Sequence, residues 1–180
     1  RQDKFTFMEI GIGTMIEGVN SSMVGYSQKG YAPGGSLRGW RDFFPNANII
    51  GIDVQPDCMF TDDRITTHLC SSSDSTASAK LLKTLPRPKV IIDDGSHFYL
   101  DQLYTLRNFL PHLEDGGIYI IEDVTTNSPI SANPSIIEDE LFSILGYQPA
   151  YFFVGKKYNQ CVIMKTPLPS RRVEPKYRNW

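Results

Sequence analysis

The sequence predicts an α/β fold in which helices cover both faces of a mostly parallel sheet, with an antiparallel hairpin at the C-terminal end. Apolar strand-like segments alternate with helical segments along most of the chain, which is typical of parallel sheets. Two of these segments, residues 90–92 and 118–121, run directly into acidic residues, as buried strands with a functional carboxyl end do. The last two strand-like segments, 148–154 and 160–165, have no helix between them and therefore form a hairpin.

Length, composition and charge indicate one globular domain, which we place at residues 1–165, followed by a C-terminal tail at 166–180. The 180 residues are 41% hydrophobic and 21% charged, enough for a buried core. A net charge of −2 offers no basic surface, so a nucleic-acid partner is not expected. No apolar run reaches the roughly 18–20 residues that span a bilayer, so we expect no membrane association and a cytoplasmic location. Three widely spaced cysteines fit a reducing compartment.

The first predicted strand, residues 5–10, runs into Gly11 and Gly13. A strand that ends in G-x-G permits a tight turn and a close approach of a ligand, although ordinary turns use the same pattern. Glu9 precedes this turn, and its charge favours a ligand with an amino group over a phosphate. The polar, glycine- and serine-rich residues 14–36 are then either a flap over a cofactor or a disordered insertion.

A helix and a second strand follow this long loop. Ser36 is the predicted N-cap of the helix, whose apolar face includes Leu37 and Trp40. The strand, residues 49–54, carries Asp53 near its end. In nucleotide-binding α/β units an acid at this position accepts hydrogen bonds from ribose hydroxyls, so Asp53 is predicted to bind a cofactor. The alternative is a solvated acid at a strand end.

A shorter strand, residues 64–69, leads into a run of serines. Ser71, Ser72 and Asp74 are candidates for contact with an adenine, although a helix cap explains Asp74 or Ser75 equally well. The remaining predicted segments are helices at residues 77–85, 100–110 and 135–145 and a polar loop at 125–134.

The strongest functional signal is a pair of strands that end in acids. The sequence V-I-I-D-D-G-S-H ends a strand with Asp93, Asp94 and His97, and the next strand ends with Glu122 and Asp123. Neighbouring parallel strands end at the same edge of a sheet, so these four carboxylates should lie together there. Such dense negative charge is costly unless a cation lies among it.

These motifs together resemble a class I S-adenosylmethionine-dependent methyltransferase with a Rossmann-like sheet. A closer resemblance is to the metal-dependent O-methyltransferases of macrolide sugars, of the mycinamicin and macrocin type, and to cephalosporin hydroxylase-like proteins. The resemblance extends over nearly the whole chain, and D-D-G-S-H with I-E-D is its most specific pair of motifs. The motifs are E-I-G-I-G at residues 9–13, G-G-S-L-R-G-W at 34–40, F-P-N-A at 44–47, G-I-D at 51–53, D-D-G-S-H at 93–97 and I-E-D at 121–123.

The resemblance implies a Mg²⁺-dependent O-methyltransferase that acts on a hydroxyl of a small molecule, such as a sugar or a glycosylated natural product. It implies Asp94, Glu122 and Asp123 as Mg²⁺ ligands and His97 as the base, so that His97 and Asp94 are the catalytic residues. This division agrees with chemistry, because Mg²⁺ prefers carboxylate oxygens and a neutral imidazole can take a proton from a metal-bound hydroxyl. The residues expected to contact S-adenosylmethionine are Glu9, Gly11, Gly13, Ser36, Asp53, Ser71, Ser72 and Asp93.

The chain also departs from that family. The family's G-D-Q before the adenine loop is replaced by C-S-S at residues 70–72, and the large N-terminal part of the sugar enzymes has no counterpart here, so the acceptor cannot be carried over. Two other functions stay open: an oxidative enzyme of the cephalosporin hydroxylase kind, and a catalytically silent methyltransferase-like binding domain. Iron oxygenases usually use two histidines and one carboxylate, which argues against the first. A homo-oligomer, or membership in a longer chain, also stays open.

Overall fold

The computed structural model describes residues 2–19, 22–26, 30–124, 128–133, 135–154 and 160–166, within which eight strands form one sheet. The strands are β1 (Thr6–Ile10), β2 (Asn48–Asp53), β3 (Thr61–Asp62), β4 (Ile65–Leu69), β5 (Val90–Asp93), β6 (Ile118–Ile121), β7 (Ala150–Val154) and β8 (Gln160–Met164). Their order across the sheet is β3-β4-β2-β1-β5-β6-β8-β7. The five central strands pair in parallel, whereas β3 pairs antiparallel with β4, and β8 pairs antiparallel with both β6 and β7. The predicted fold class is therefore confirmed.

The helices connect these strands and lie against both faces of the sheet. They are α1 (Gly35–Phe43), α2 (Ser75–Leu82), α3 (Tyr99–Phe109), α4 (Pro129–Ala132) and α5 (Ser135–Leu145), with short 3-10 helices at Pro56–Cys58 and Leu110–His112. Of the helices described, none combines the length and apolar character that crossing a membrane requires.

Two hydrophobic clusters form the core, one on each face of the sheet. Successive side chains of a strand point to opposite faces, so the central strands contribute to both clusters. Met8 and Ile91 pack in the larger cluster with residues of α3 and α5. Phe7 and Ile92 pack in the smaller cluster with Leu37 of α1. This burial on both faces explains why the central strands are almost continuously apolar.

The predicted N-cap at Ser36 is wrong. Helix α1 begins at Gly35, and its N-cap is Gly34, which has a left-handed φ of 84°. A Cβ atom at Gly34 would lie 2.4 Å from the ring of Phe60, so only glycine fits both the conformation and the space. The hydroxyl of Ser36 donates instead to the carboxylate of Glu9.

Two further segments differ from the sequence prediction. The predicted polar loop at 125–134 contains the short helix α4, where Ser128 accepts a hydrogen bond from the N–H of Ile130 and Pro129 occupies the first helical position. Strand β3 was not predicted, because two residues carry too little periodicity. Most of the predicted tail, residues 167–180, lies outside the described residues.

Strand register sets the position of the predicted site residues. Ile10 of β1 lies beside both Ile52 of β2 and Asp93 of β5, and Asp93 lies beside Ile121 of β6. The carboxyl ends of these four strands therefore form one edge of the sheet, and the residues that follow each strand meet there. The predicted convergence of the strand-end acids is explained by this register.

Candidate functional site

A cavity of about 980 Å³ opens at the carboxyl edge of the sheet. This volume suits an extended small-molecule ligand, since ligand pockets usually enclose about 300–1,000 Å³. Glu9, Ser36 and Glu122 lie outside the cavity wall. The predicted site residues that line the cavity are Gly11, Gly13, Asp53, Ser71, Ser72, Asp93, Asp94, His97 and Asp123.

The glycine turn after β1 packs closely against neighbouring parts of the chain. Gly11 and Gly13 have left-handed φ values of 90° and 86°. A Cβ atom at Gly11 would lie 2.0 Å from the backbone oxygen of Asp94, and one at Gly13 would lie 2.5 Å from the hydroxyl of Tyr31. Glycine at position 11 therefore allows the ends of β1 and β5 to approach each other, which brings the predicted cofactor turn and the predicted metal ligand together.

Glu9 is buried beside this turn and is held by α1. Its carboxylate accepts hydrogen bonds from the hydroxyl of Ser36 and, at 2.7 Å, from the indole N–H of Trp40. Burial raises the pKa of Glu9 to about 7, and the two hydrogen bonds oppose this shift only in part. The structure thus brings the predicted residues Glu9 and Ser36 into contact with each other, and their predicted contact with a cofactor stays a prediction.

Asp53 lies in the cavity wall with its carboxylate fixed by backbone groups. Oδ2 accepts a hydrogen bond from the N–H of Ile12, and Oδ1 accepts one from the N–H of Gln55, both at 2.8 Å. A carboxylate oxygen can accept two hydrogen bonds, so the Asp53 carboxylate still has capacity for a hydroxyl of a ligand. This geometry suits the ribose contact predicted from the sequence.

The serine loop after β4 is tied to helix α3. The hydroxyls of Ser72 and Thr105 are 2.9 Å apart, and the side-chain amide of Asn108 donates to the backbone oxygen of Ser72 at 2.8 Å. Ser71 and Ser72 both face the cavity, as an adenine contact would require. Asp74, in contrast, caps α2 by accepting hydrogen bonds from two N–H groups of its first turn.

Three side chains on the cavity wall form a group that can bind a metal ion. One ligand atom each from Asp94, His97 and Asp123 lies within 4.8 Å of the other two. Nε2 of His97 is 3.9 Å from Oδ1 of Asp94 and 3.8 Å from Oδ2 of Asp123. His97 and Asp123 both have left-handed φ values, 58° and 50°, a conformation that non-glycine residues rarely adopt and that is concentrated at functional sites.

The electrostatics of this group fit a divalent cation. Burial, followed by the negative charges of Glu122, Glu9, Asp123 and Asp93, raises the pKa of Asp94 to about 8. A bound cation would reverse this repulsion, and carboxylate oxygens are the ligands that Mg²⁺ prefers. Burial also lowers the pKa of His97, which favours a neutral imidazole. Its buried Nδ1 finds no hydrogen-bond partner among the described residues.

Glu122, the third predicted metal ligand, lies beside this group rather than within it. Its Oε1 accepts a hydrogen bond from Nε2 of Gln160 at 2.9 Å, and its backbone oxygen accepts one from Nε2 of Gln102 at 3.0 Å. It is nevertheless close, because its charge is the strongest electrostatic influence on the pKa of Asp94 after burial. The hairpin that carries Gln160 was predicted from the sequence, but the contact between Gln160 and Glu122 was not.

Asp93 lies deeper than the metal-binding group. It is 3% exposed, its Oδ2 is 3.5 Å from the hydroxyl of Tyr119, and its Oδ1 accepts a hydrogen bond from the N–H of Gly95 at 3.4 Å. Burial raises its pKa to about 7. Asp93 thus lies between the core and the cavity and outside the metal-binding group, and its predicted cofactor contact stays a prediction.

The described parts of the long loop at residues 14–36 form a wall of the cavity, which favours the flap over the disordered insertion. Asp57 holds the base of the loop, because its carboxylate accepts the hydroxyl of Thr14 at 2.6 Å and the N–H of Met15 at 2.7 Å. Farther along, Met23 and Tyr26 line the cavity, although Tyr26 is 86% exposed. Residues 20–21 and 27–29 of this loop lie outside the described residues.

Comparison with known proteins identifies relatives among sugar O-methyltransferases, although no family model matches the chain. Demethylmacrocin O-methyltransferase of Streptomyces fradiae is 32% identical over 126 residues, which are 70% of this chain and 29% of that protein. Mycinamicin VI 2''-O-methyltransferase of Micromonospora griseorubida is 30% identical over 126 residues, again 70% of this chain and 29% of that protein. The chain thus spans less than a third of the length of these curated relatives.

Solved structures show the same fold. The MycE methyltransferase from the mycinamycin biosynthetic pathway, in complex with Mg, SAH and mycinamycin VI, matches 95% of this chain and 47% of its own with a TM-score of 0.68 and 22% identity. Another crystal form of MycE, with Mg and SAH, matches 93% of this chain and 47% of its own with a TM-score of 0.64 and 25% identity. These similarities confirm the predicted resemblance to class I methyltransferases and to macrolide-sugar O-methyltransferases.

Proposed function

We propose that this chain, which has the class I methyltransferase fold and macrolide-sugar O-methyltransferases as relatives, is an S-adenosylmethionine-dependent O-methyltransferase. Its acceptor is a hydroxyl of a small glycosylated molecule, and its second cofactor is Mg²⁺. The observation that carries this proposal is that one cavity holds both the predicted cofactor acid, Asp53, and the group formed by Asp94, His97 and Asp123. We assign the activity to a single domain at residues 1–165.

S-adenosylmethionine would bind along the carboxyl ends of β1 and β2. Gly11 and Gly13 provide the turn, Asp53 accepts the ribose hydroxyls, and Ser71 and Ser72 face the adenine end. Asp53 is already oriented by the N–H groups of Ile12 and Gln55, so little ordering is needed when the ligand arrives. The remaining proposed contacts are Glu9 in β1, Ser36 in α1 and Asp93 at the end of β5.

The metal site would use the carboxylates of Asp94, Glu122 and Asp123. When bound, Mg²⁺ supplies Lewis-acid chemistry that lowers the pKa of an acceptor hydroxyl. His97 then takes the hydroxyl proton at Nε2, which faces the two aspartates. The low pKa that burial gives His97 keeps the imidazole neutral and ready to accept this proton near pH 7.

Acceptor specificity is assigned to the loop at residues 14–36. Met23 and Tyr26 place an apolar and an aromatic surface on the cavity wall, which suits the ring of a sugar or of its aglycone. The relatives are named for methylating macrolide and tetracenomycin glycosides, and these compounds combine sugar hydroxyls with apolar rings. A glycosylated natural product is therefore the proposed acceptor class. Separately, we propose that the reaction takes place in the cytoplasm.

The oxidative alternative is weakened by the donor set. Iron oxygenases of the facial-triad type use two histidines and one carboxylate. In the described part of the chain, His97 is the one histidine in the metal-binding group, while His112 contacts the backbone oxygen of Pro86. A silent binding domain is disfavoured because the acid and histidine groups expected for catalysis converge on one cavity.

The proposal is tested by methyl transfer from labelled S-adenosylmethionine to a panel of glycosylated macrolides and aromatic polyketides, with Mg²⁺ or with a chelator. Mg²⁺-dependent transfer that is lost in His97→Ala would support the assignment. Oxygen consumption with iron, or the absence of transfer to every acceptor despite tight cofactor binding, would support the oxidative enzyme or the binding domain instead.

A further inference from the structure

Glu122 is held at three points by groups from different elements. Its N–H donates to the backbone oxygen of Asp93 at 2.9 Å, which continues the pairing of β5 and β6. Its backbone oxygen accepts the side-chain amide of Gln102 on α3 at 3.0 Å. Its carboxylate oxygen Oε1 accepts the side-chain amide of Gln160 on β8 at 2.9 Å. The backbone of Glu122 is therefore fixed independently of the side chain, and Gln160 is the group that orients the carboxylate.

Strand register explains why Gln160 reaches this position. Cys161 of β8 pairs with Ile121 of β6 in an antiparallel ladder. One step along the ladder, Gln160 therefore lies beside Glu122, directly after the end of β6. The terminal hairpin, which the parallel part of the fold does not require, thereby contributes a side chain to the edge of the functional site.

The chemistry of this contact suits a carboxylate that has to bind a cation. An amide donates a hydrogen bond to one carboxylate oxygen without neutralising the negative charge. A lysine or arginine at position 160 would instead compete with the cation for that charge. The hydrogen bond from Gln160 to Oε1 therefore holds the Glu122 carboxylate in one orientation and leaves its negative charge for a cation beside Asp94 and Asp123.

We propose that Gln160 is a positioning residue for the divalent cation, which it serves by holding the Glu122 carboxylate in one orientation. The inference rests on the proposed function, because it presupposes a cation at Asp94, Glu122 and Asp123. Hydrogen-bond partners of metal ligands typically contribute 10–100-fold to metal affinity. Loss of the Gln160 amide is therefore expected to weaken Mg²⁺ binding by about 10–100-fold.

The test is calorimetric titration of the whole chain with Mg²⁺ in the presence of saturating S-adenosylhomocysteine. Gln160→Met keeps the length of the side chain and removes the N–H donor. The matched control is Gln148→Met, because the Gln148 amide donates to the backbone oxygen of Glu138 at 2.8 Å, away from the metal-binding group. We expect weaker Mg²⁺ binding in Gln160→Met, wild-type binding in Gln148→Met, and unchanged S-adenosylhomocysteine affinity without metal in both.

A double-mutant cycle separates positioning from a general structural effect. If Gln160 acts through the carboxylate of Glu122, then Gln160→Met causes no further loss of Mg²⁺ affinity in a Glu122→Gln background. Wild-type Mg²⁺ affinity in Gln160→Met, or an equal loss in both backgrounds, would overturn the proposal. A wild-type chain that binds the cofactor product but no Mg²⁺ would overturn the metal part of the proposed function and this inference together.

Discussion

His97 and Asp123 face each other at 3.8 Å, Nε2 to Oδ2, and each adopts a left-handed backbone conformation in the turn that follows a central strand, β5 or β6. A left-handed conformation costs a non-glycine residue about 1–2 kcal/mol. The two turns therefore hold the imidazole and the carboxylate together at the expense of local stability. Such a cost is expected where geometry serves a site rather than the fold.

The left-handed conformation of His97 predicts that His97→Gly and His97→Ala differ in stability although both lose activity. His97→Gly relieves the backbone strain, so it should be more stable than His97→Ala by about 1 kcal/mol, as measured by urea unfolding. Both variants lack the base and should lose methyl transfer by at least about 100-fold while they retain cofactor binding. Equal stability of the two variants would contradict the strain, and activity retained in either would contradict the role of His97 as base.

The contact between Gly11 and the backbone of Asp94 predicts that Gly11→Ala damages two sites at once. Its Cβ atom would meet the Asp94 oxygen at 2.0 Å, so β1 and β5 have to separate. We expect a loss of unfolding free energy of about 3 kcal/mol or more, together with weaker binding of both cofactor and Mg²⁺. Gly146→Ala is the matched control, because Gly146 has a φ of 73° but open space around it, and it should lose only about 1 kcal/mol.

The buried carboxyl of Glu9 predicts a pH dependence of stability. Its pKa rises from an ordinary 4.5 to about 7 on folding, so the folded chain binds more protons than the unfolded chain between these values. Its contribution to stability is therefore complete below pH 4.5 and is lost as the pH rises to about 7, by up to about 3 kcal/mol.

Glu9→Gln removes this titration. At pH 5 the variant should match wild type within about 0.5 kcal/mol, because the protonated carboxyl and the amide can each accept the Trp40 N–H through one oxygen and donate to the hydroxyl of Ser36. At pH 8 the variant should be more stable than wild type, since wild type then carries a buried charge and the variant does not. Unfolding by urea at the two pH values gives both differences, and parallel curves for the two proteins would contradict the assignment of the pKa to Glu9.

The exposed ring of Tyr26 predicts a specificity effect without a stability effect. Tyr26 lines the cavity but is 86% exposed, so Tyr26→Ala should leave the unfolding free energy within about 0.5 kcal/mol of wild type. If the ring contacts the acceptor, KM for the acceptor should rise about 10-fold with little change in kcat. Phe142→Ala, on the exposed side of α5, is the control and should change neither constant.

Much of the fold follows from sequence because its local signals agree. Helix α5 spans the predicted residues 135–145, and the strands that end in acids were found from their apolar runs. The N-cap at Ser36 was wrong for a non-local reason. Its hydroxyl is taken by Glu9, 27 residues away, and the cap position falls on the left-handed Gly34. Residue preferences report local conformation and cannot include such a partner.

The site was predictable as a set of residue types but not as a set of contacts. Parallel strand ends had to bring Asp94, Glu122 and Asp123 to one edge, and they do. The side chain of His97 lies close to Asp94 and Asp123 because of the left-handed turns at His97 and Asp123. No propensity scale indicates these turns. The hydrogen bond from Gln160 depends on the register of β8, which is set by pairing with β6 across a long stretch of sequence.

Calorimetry of S-adenosylmethionine binding with and without Mg²⁺, on wild type, Asp53→Asn and Asp94→Asn, tests whether one cavity contains separate cofactor and metal sites. The predicted result is cofactor binding that is lost or at least about 10-fold weaker in Asp53→Asn and kept in Asp94→Asn, with Mg²⁺ binding lost only in Asp94→Asn. Wild type that binds no S-adenosylmethionine under either condition would contradict the account.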